Sequence, residues 1–84
     1  MSDLEYDVLD ELYFVQSYNG LLDTTGLEED VLNKVLSKLL SKKWIKCLVN
    51  QTEDIAYEEL DFEKDFRKIF YLATKSGLLA HNSH

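Results

Sequence analysis

Gly26-Leu27-Glu28-Glu29-Asp30-Val31-Leu32-Asn33-Lys34-Val35-Leu36-Ser37-Lys38-Leu39-Leu40-Ser41-Lys42-Lys43-Trp44-Ile45 decides the fold of this 84-residue chain. It reads as a turn, an amphipathic helix and the start of a strand. Val31, Leu32, Val35, Leu36, Leu39 and Leu40 recur at helical spacing. The opposite face carries Asn33, Lys34, Ser37, Lys38, Ser41 and Lys42, in rows four residues apart. Gly26 ends the preceding helix, because a left-handed cap conformation costs glycine little. Leu27 then plugs the corner, and the helix spans 28–42. Glu28, Glu29 and Asp30 suit its N-terminal end, and Lys42 and Lys43 its C-terminal end, without any ligand being invoked.

Toward the N-terminus, Ser2-Asp3-Leu4-Glu5 fits a capping box. It opens a first helix predicted from Asp3 to Gln16 that buries Leu4, Val8, Leu9, Leu12, Tyr13 and Val15. Ser17 is the N-cap of a short second helix from Tyr18 to Thr24. Toward the C-terminus, Trp44 to Val49 and Phe66 to Leu72 are rich in β-formers and are expected to pair as an antiparallel ribbon. The residues between, Asn50 to Asp65, are too many for a tight hairpin. Ile55, Tyr57, Leu60, Phe62 and Phe66 punctuate them, so the segment either extends the ribbon or adds a helical turn packed on the body. Thr74 caps a last helix ending near Ala80.

A hydrophobic content of 45% in one short chain, with no proline, repeat or Gly/Ser linker, predicts a single domain over 1–84. No stretch matches a membrane span or a signal peptide, and lone Cys47 reads as a small buried hydrophobe, so the expected compartment is cytoplasmic. The net charge of −7 is sorted in blocks. Residues 1–30 hold nine acids and no Lys or Arg, and residues 31–52 hold five Lys and no acid. Residues 53–65 hold seven acids and one Lys, and residues 66–84 hold Arg67, Lys68 and Lys75 with no acid. The folded surface is therefore expected to carry distinct positive and negative regions. Catalysis is not expected: His81 and His84 lie in a frayed C-terminus, the glycines are isolated, and the 53–65 carboxylates lack calcium-loop spacing. No cofactor and no metal is expected.

The order helix, helix, turn, helix, strand, long loop, strand, helix resembles the winged helix-turn-helix fold from about Leu4 to Ala80. Leu21, Gly26, Leu27, Leu32 and Val35 fall at the apolar, Gly and apolar positions of a helix-turn-helix. Leu22 stands where that motif favours a small residue, which would set its two helices further apart. Phe70-Tyr71-Leu72-Ala73-Thr74-Lys75-Ser76-Gly77 is similar to the Tyr-x-Leu-Thr-x-x-Gly segment of MarR- and PadR-like regulators, with Ala73 as one extra residue. The resemblance implies a mainly α fold with a small antiparallel β-ribbon: a three-helix core, a wing and a short C-terminal helix.

It also implies a transcriptional-regulator-like protein that reads double-stranded DNA with helix 28–42. Lys34, Lys38, Lys42 and Lys43 would meet phosphates with a log–log salt slope of about −3.6. Asn33 would pair with adenine, and Ser37 and Ser41 would donate or accept. Against DNA stand the acidic first turn of that helix and an acidic wing, which phosphates would repel. The alternative is an acidic protein-interaction module that does not bind DNA. Glu53, Tyr57, Glu58, Glu59, Asp61 and Phe62 would then meet a basic protein partner, unless the aromatic residues merely cover the domain's own core. A weak homodimer would have to use helix 1, with its Asp7, Asp10 and Glu11.

Overall fold

The computed structural model describes residues 2–49 and 61–83 together with the backbone of 54–55. The elements run α1 (Asp3–Glu11), β1 (Gln16–Ser17), α2 (Tyr18–Thr25), α3 (Glu29–Ser41), β2 (Ile45–Leu48), β3 (Asp54–Ile55), α4 (Phe62–Asp65), β4 (Phe70–Ala73) and α5 (Lys75–Asn82). The fold is mainly α with a small antiparallel sheet of order β1-β4-β2-β3, wider than the two-stranded ribbon expected. Among the described residues no helix is long and apolar enough to cross a membrane.

The apolar stripe of α3 sits at the centre. Leu32, Leu36 and Leu39 are fully buried, and they share one core with Val8, Leu9 and Leu12 from the first helical segment and Tyr18 and Leu21 from α2. The sheet closes this core from the other side. Cys47 lies opposite Tyr71 and Ile45 opposite Ala73, so the alternating residues of β2 and β4 that face inward come in matched pairs. Leu22 and Leu27 are half-buried and pack against the core edge, Leu27 as the expected corner plug.

Local chemistry fixes the helix ends. The Ser2–Glu5 capping box is present, Ser17 Oγ accepts from the Gly20 amide, and Thr74 Oγ1 accepts from the Gly77 amide. Gly26 takes the left-handed conformation at φ 68. Helix α3 ends in a Schellman arrangement, in which the Trp44 amide donates to the Leu39 carbonyl and the Lys43 amide to that of Leu40. Lys43 there adopts φ 61, a left-handed conformation on a non-glycine residue.

Three expectations are corrected, and one pair of expected alternatives is met in both its forms. Helix α1 stops at Glu11 and does not continue to Gln16. The Leu12 carbonyl instead accepts from the Ala73 amide, and Gln16 and Ser17 pair with Tyr71 and Phe70 on the free edge of β4. Tyr13 is consequently 40% exposed and Val15 only half-buried, and Leu4, although inside the helix as expected, is 40% exposed as well. The strand expected from Phe66 starts at Phe70, because the Phe66 amide caps α4 by donating to the Phe62 carbonyl. The segment between β2 and β4 adds both a ribbon strand, β3, and a helical turn, α4. Finally, His81 is no frayed terminus: it is 8% exposed within α5, stacked on the Tyr6 ring at 4.0 Å, with Nδ1 2.9 Å from the Tyr13 hydroxyl.

Helix α5 can dock this closely because Gly77 has no side chain. A Cβ there would lie 1.9 Å from the Trp44 carbonyl oxygen, which belongs to rigid backbone. The Trp44 carbonyl also accepts from the Thr74 amide at 2.9 Å, so it cannot yield without losing that bond. Gly77→Ala is expected to destabilise the domain by about 3 kcal/mol, an overpacking cost, read as a lower midpoint in urea unfolding.

Candidate functional site

The polar face of α3 is where the sequence places its DNA-contacting residues, and the structure divides them. Asn33 is half-buried, and its Oδ1 accepts from the Tyr18 hydroxyl at 2.6 Å. Tyr18 is fully buried. Burial and the nearby Glu29 carboxylate raise its hydroxyl above the ordinary tyrosine range, against the pull of Arg67, so it stays a donor. Bidentate pairing with adenine needs both Asn33 amide atoms, and one is already held.

Lys42 is engaged as well. Its Nζ lies 2.6 Å from Glu5 Oε2 and 4.6 Å from the centre of the Trp44 ring. Glu5 is 5% exposed and is also held by the Ser2 amide and hydroxyl. Burial pushes the Glu5 carboxyl up, but the Lys42 hydrogen bond and the two from Ser2 outweigh it, leaving the group below the usual carboxylate range. The Ser41 hydroxyl donates to the Lys38 carbonyl at 2.8 Å. Lys34, Lys38 and Lys43 are exposed, with no ion pair among the described residues.

Alongside this face lies α4. Phe62 and Phe66, one helical turn apart, are half-buried against the core, with ring centres 5.7 Å apart. Phe66 meets Tyr18 edge-on at 4.9 Å. Arg67 lies over the Phe66 ring at 5.1 Å and pairs with Glu29 in the first turn of α3. A groove of about 350 Å³ runs between the helices, lined by Asp30, Asn33, Lys34 and Ser37 on one side and Phe62, Glu63 and Phe66 on the other. A second groove of about 270 Å³ lies between α1 and α3, and Lys34 lines both.

The structure therefore brings Phe62 of the proposed partner-binding set beside Asn33, Lys34 and Ser37 of the DNA-binding set. Asp61 is exposed at the start of α4, 3.9 Å from Lys64. Glu53, Tyr57, Glu58 and Glu59 lie outside the described residues. Tyr18, Phe66 and Arg67 are the side chains that sequence reasoning missed. The signal for α4 was the Phe62–Phe66 spacing of four within an otherwise charged stretch. Burial pushes the Cys47 thiol up to about 12, so it carries no thiolate at neutral pH. Among the described residues no three His, Cys, Asp or Glu side chains gather as metal ligands.

Comparisons with protein-family models, with curated proteins and with solved structures gave no match for this chain.

Removing the Tyr18 hydroxyl leaves Asn33 Oδ1 half-buried and unpaired. Tyr18→Phe is therefore expected to cost about 1–2 kcal/mol in urea unfolding, more than a surface hydroxyl would. Glu5 gives a pH dependence. Its folded value is lowered, so its stabilising contribution is complete above the ordinary carboxylate range and disappears as pH falls through the folded value. The stability difference between the wild type and Glu5→Gln should shrink from about pH 6 to about pH 3, as followed by thermal unfolding across that range.

Proposed function

We propose that the chain is a winged-helix domain that docks an arginine- or lysine-rich protein segment and does not read DNA through α3. The winged-helix assignment draws support from the order of elements and from β1, which follows α1 and joins the sheet beside β4. The Gly26 corner between α2 and α3 and the passage from β4 through Thr74 into α5 support it too.

The observation that carries the docking reading is α4. It lies along the Asn33–Ser37 row, the row that would have to face base edges, and Tyr18 holds Asn33 from below. Base readout requires a bare helix face inside a groove roughly 12 Å wide. The surroundings are acidic as well: Glu28 and Asp30 at the start of α3 and Glu63 on α4 are exposed and in no ion pair among the described residues. These carboxylates repel phosphate and attract a cationic protein surface.

One observation favours DNA as a second reading, the unpaired and exposed Lys34 and Lys38 one turn apart on α3. A titration of the protein against random-sequence duplex DNA, from about 20 to 200 mM salt, separates the two. Docking predicts no binding at the lowest salt and no difference between the wild type and Lys34→Glu/Lys38→Glu. The DNA reading requires binding that the double variant abolishes, with a log–log slope near −2.7 if Lys34, Lys38 and Lys43 each meet a phosphate.

A further inference from the structure

The groove between α3 and α4 has a composition that selects among cations. Phe62 and Phe66 give it aromatic lining, and two carboxylates line it, Asp30 from α3 and Glu63 from α4. Neighbouring charges on the same elements cancel internally: Arg67 pairs with Glu29, and Lys64 stands 3.9 Å from Asp61. Asp30 and Glu63 have no ion pair among the described residues, and one cation, Lys34, shares the lining one turn along α3 from Asp30. The lining thus carries two carboxylates and one cation, a net negative charge, beside aromatic surface.

The chain already fills one such arrangement with its own guanidinium. Arg67 lies over Phe66 at 5.1 Å while pairing with a carboxylate from the first turn of α3. The groove repeats the same elements for an incoming group: a phenyl ring from α4 and a carboxylate, Asp30, from that same first turn. A planar guanidinium stacks on an aromatic face and pairs with carboxylates through two parallel donors. A lysine ammonium is more strongly hydrated and does neither as well. A volume of about 350 Å³ accommodates an arginine side chain with part of the backbone that carries it.

We propose that the α3–α4 groove binds an arginine side chain of a basic protein segment, its guanidinium stacked on Phe62 and Phe66 and paired with Asp30 and Glu63. This inference rests on the docking reading above and specifies the group that is docked. Residue by residue, Phe62 and Phe66 supply stacking surface, Asp30 and Glu63 supply charge, and Lys34 opposes a second cation at the same end.

The test uses three capped, fluorescently labelled peptides of identical length and spacing, carrying arginine, lysine or glutamate at three positions. Their binding to the full chain is read by anisotropy. The arginine peptide is expected to bind at least tenfold more tightly than the lysine peptide, and the glutamate peptide not at all. Asp30→Asn and Glu63→Gln, both at exposed positions, should each weaken the arginine peptide about three- to tenfold, Glu63→Gln with its unfolding midpoint unchanged and Asp30→Asn with one lowered only by the loss of an acid from the first turn of α3. Phe62→Leu should remove most of the arginine-over-lysine preference while keeping an apolar side chain in place.

Equal binding of the arginine and lysine peptides, or arginine binding unchanged by Asp30→Asn and Glu63→Gln, overturns the groove assignment and leaves an acidic docking surface elsewhere. Failure of both cationic peptides, with duplex DNA bound, overturns the docking reading itself.

Discussion

Ser17 belongs to two elements at once. Its backbone pairs with Phe70 across the sheet, and its hydroxyl accepts from the Gly20 amide at 3.0 Å to start α2. The sheet and α2 therefore cannot shift independently, because one residue terminates the first and caps the second. Tyr18 follows at once and is driven fully into the core. Its hydroxyl reaches Asn33 on α3 and its ring meets Phe66 at the end of α4. A two-residue strand thus sets where three helices meet, and that junction holds both walls of the α3–α4 groove. A junction this small suffices because it removes backbone freedom at the point where three elements converge.

The polar residues of α3 divide by what surrounds them, not by type. Asn33 is half-buried, so leaving its carbonyl oxygen unpaired would cost about 1–3 kcal/mol, and Tyr18 prevents that. Glu5 is almost fully buried, and a buried carboxylate without a partner is more costly still. Lys42, itself partly exposed, reaches back from the far end of α3 to satisfy it, closing α1 against α3. Lys34 and Lys38 face solvent, where a surface cation contributes little to stability. Asn33 and Lys42 are thereby committed to the fold, whereas Lys34 and Lys38 are free for whatever the surface meets.

What was legible in the sequence was local. Ser2 with Glu5, Ser17, Gly26 and Thr74 each act within four residues of themselves, and all perform the role their chemistry indicates. The α3 stripe was equally legible, since a helical period can be read without knowing what covers it. The end of α1 was not, because Gln16 and Ser17 become a strand only when the β4 edge, more than fifty residues away, presents its backbone to them. His81 read as terminal because nothing nearby in sequence marks Tyr6 and Tyr13 as its neighbours. The candidate site fared likewise. The donors and cations of α3 were visible, but their partners Tyr18 and Glu5 lie 15 and 37 residues away. Propensity and spacing carry no information at that separation.

On the docking reading, two obstacles would stand between α3 and a duplex, and they differ in kind. Acidic side chains repel phosphates through a potential that decays over about 8 Å at physiological ionic strength and that salt weakens further. The presence of Phe62 and Phe66 beside the row is steric and salt does not alter it. If charge were the main barrier, the Asn33–Ser37 row would become available as counterions screened Asp30 and Glu63. With α4 in place, screening leaves the row across a groove from aromatic rings that are themselves packed on the core. Uncovering it means breaking the Phe66 contact with Tyr18, and Tyr18 is held by the junction at Ser17. The choice of partner is therefore tied to the same packing that fixes the sheet to the helices, and a ligand that enters beside α4 requires none of it to open.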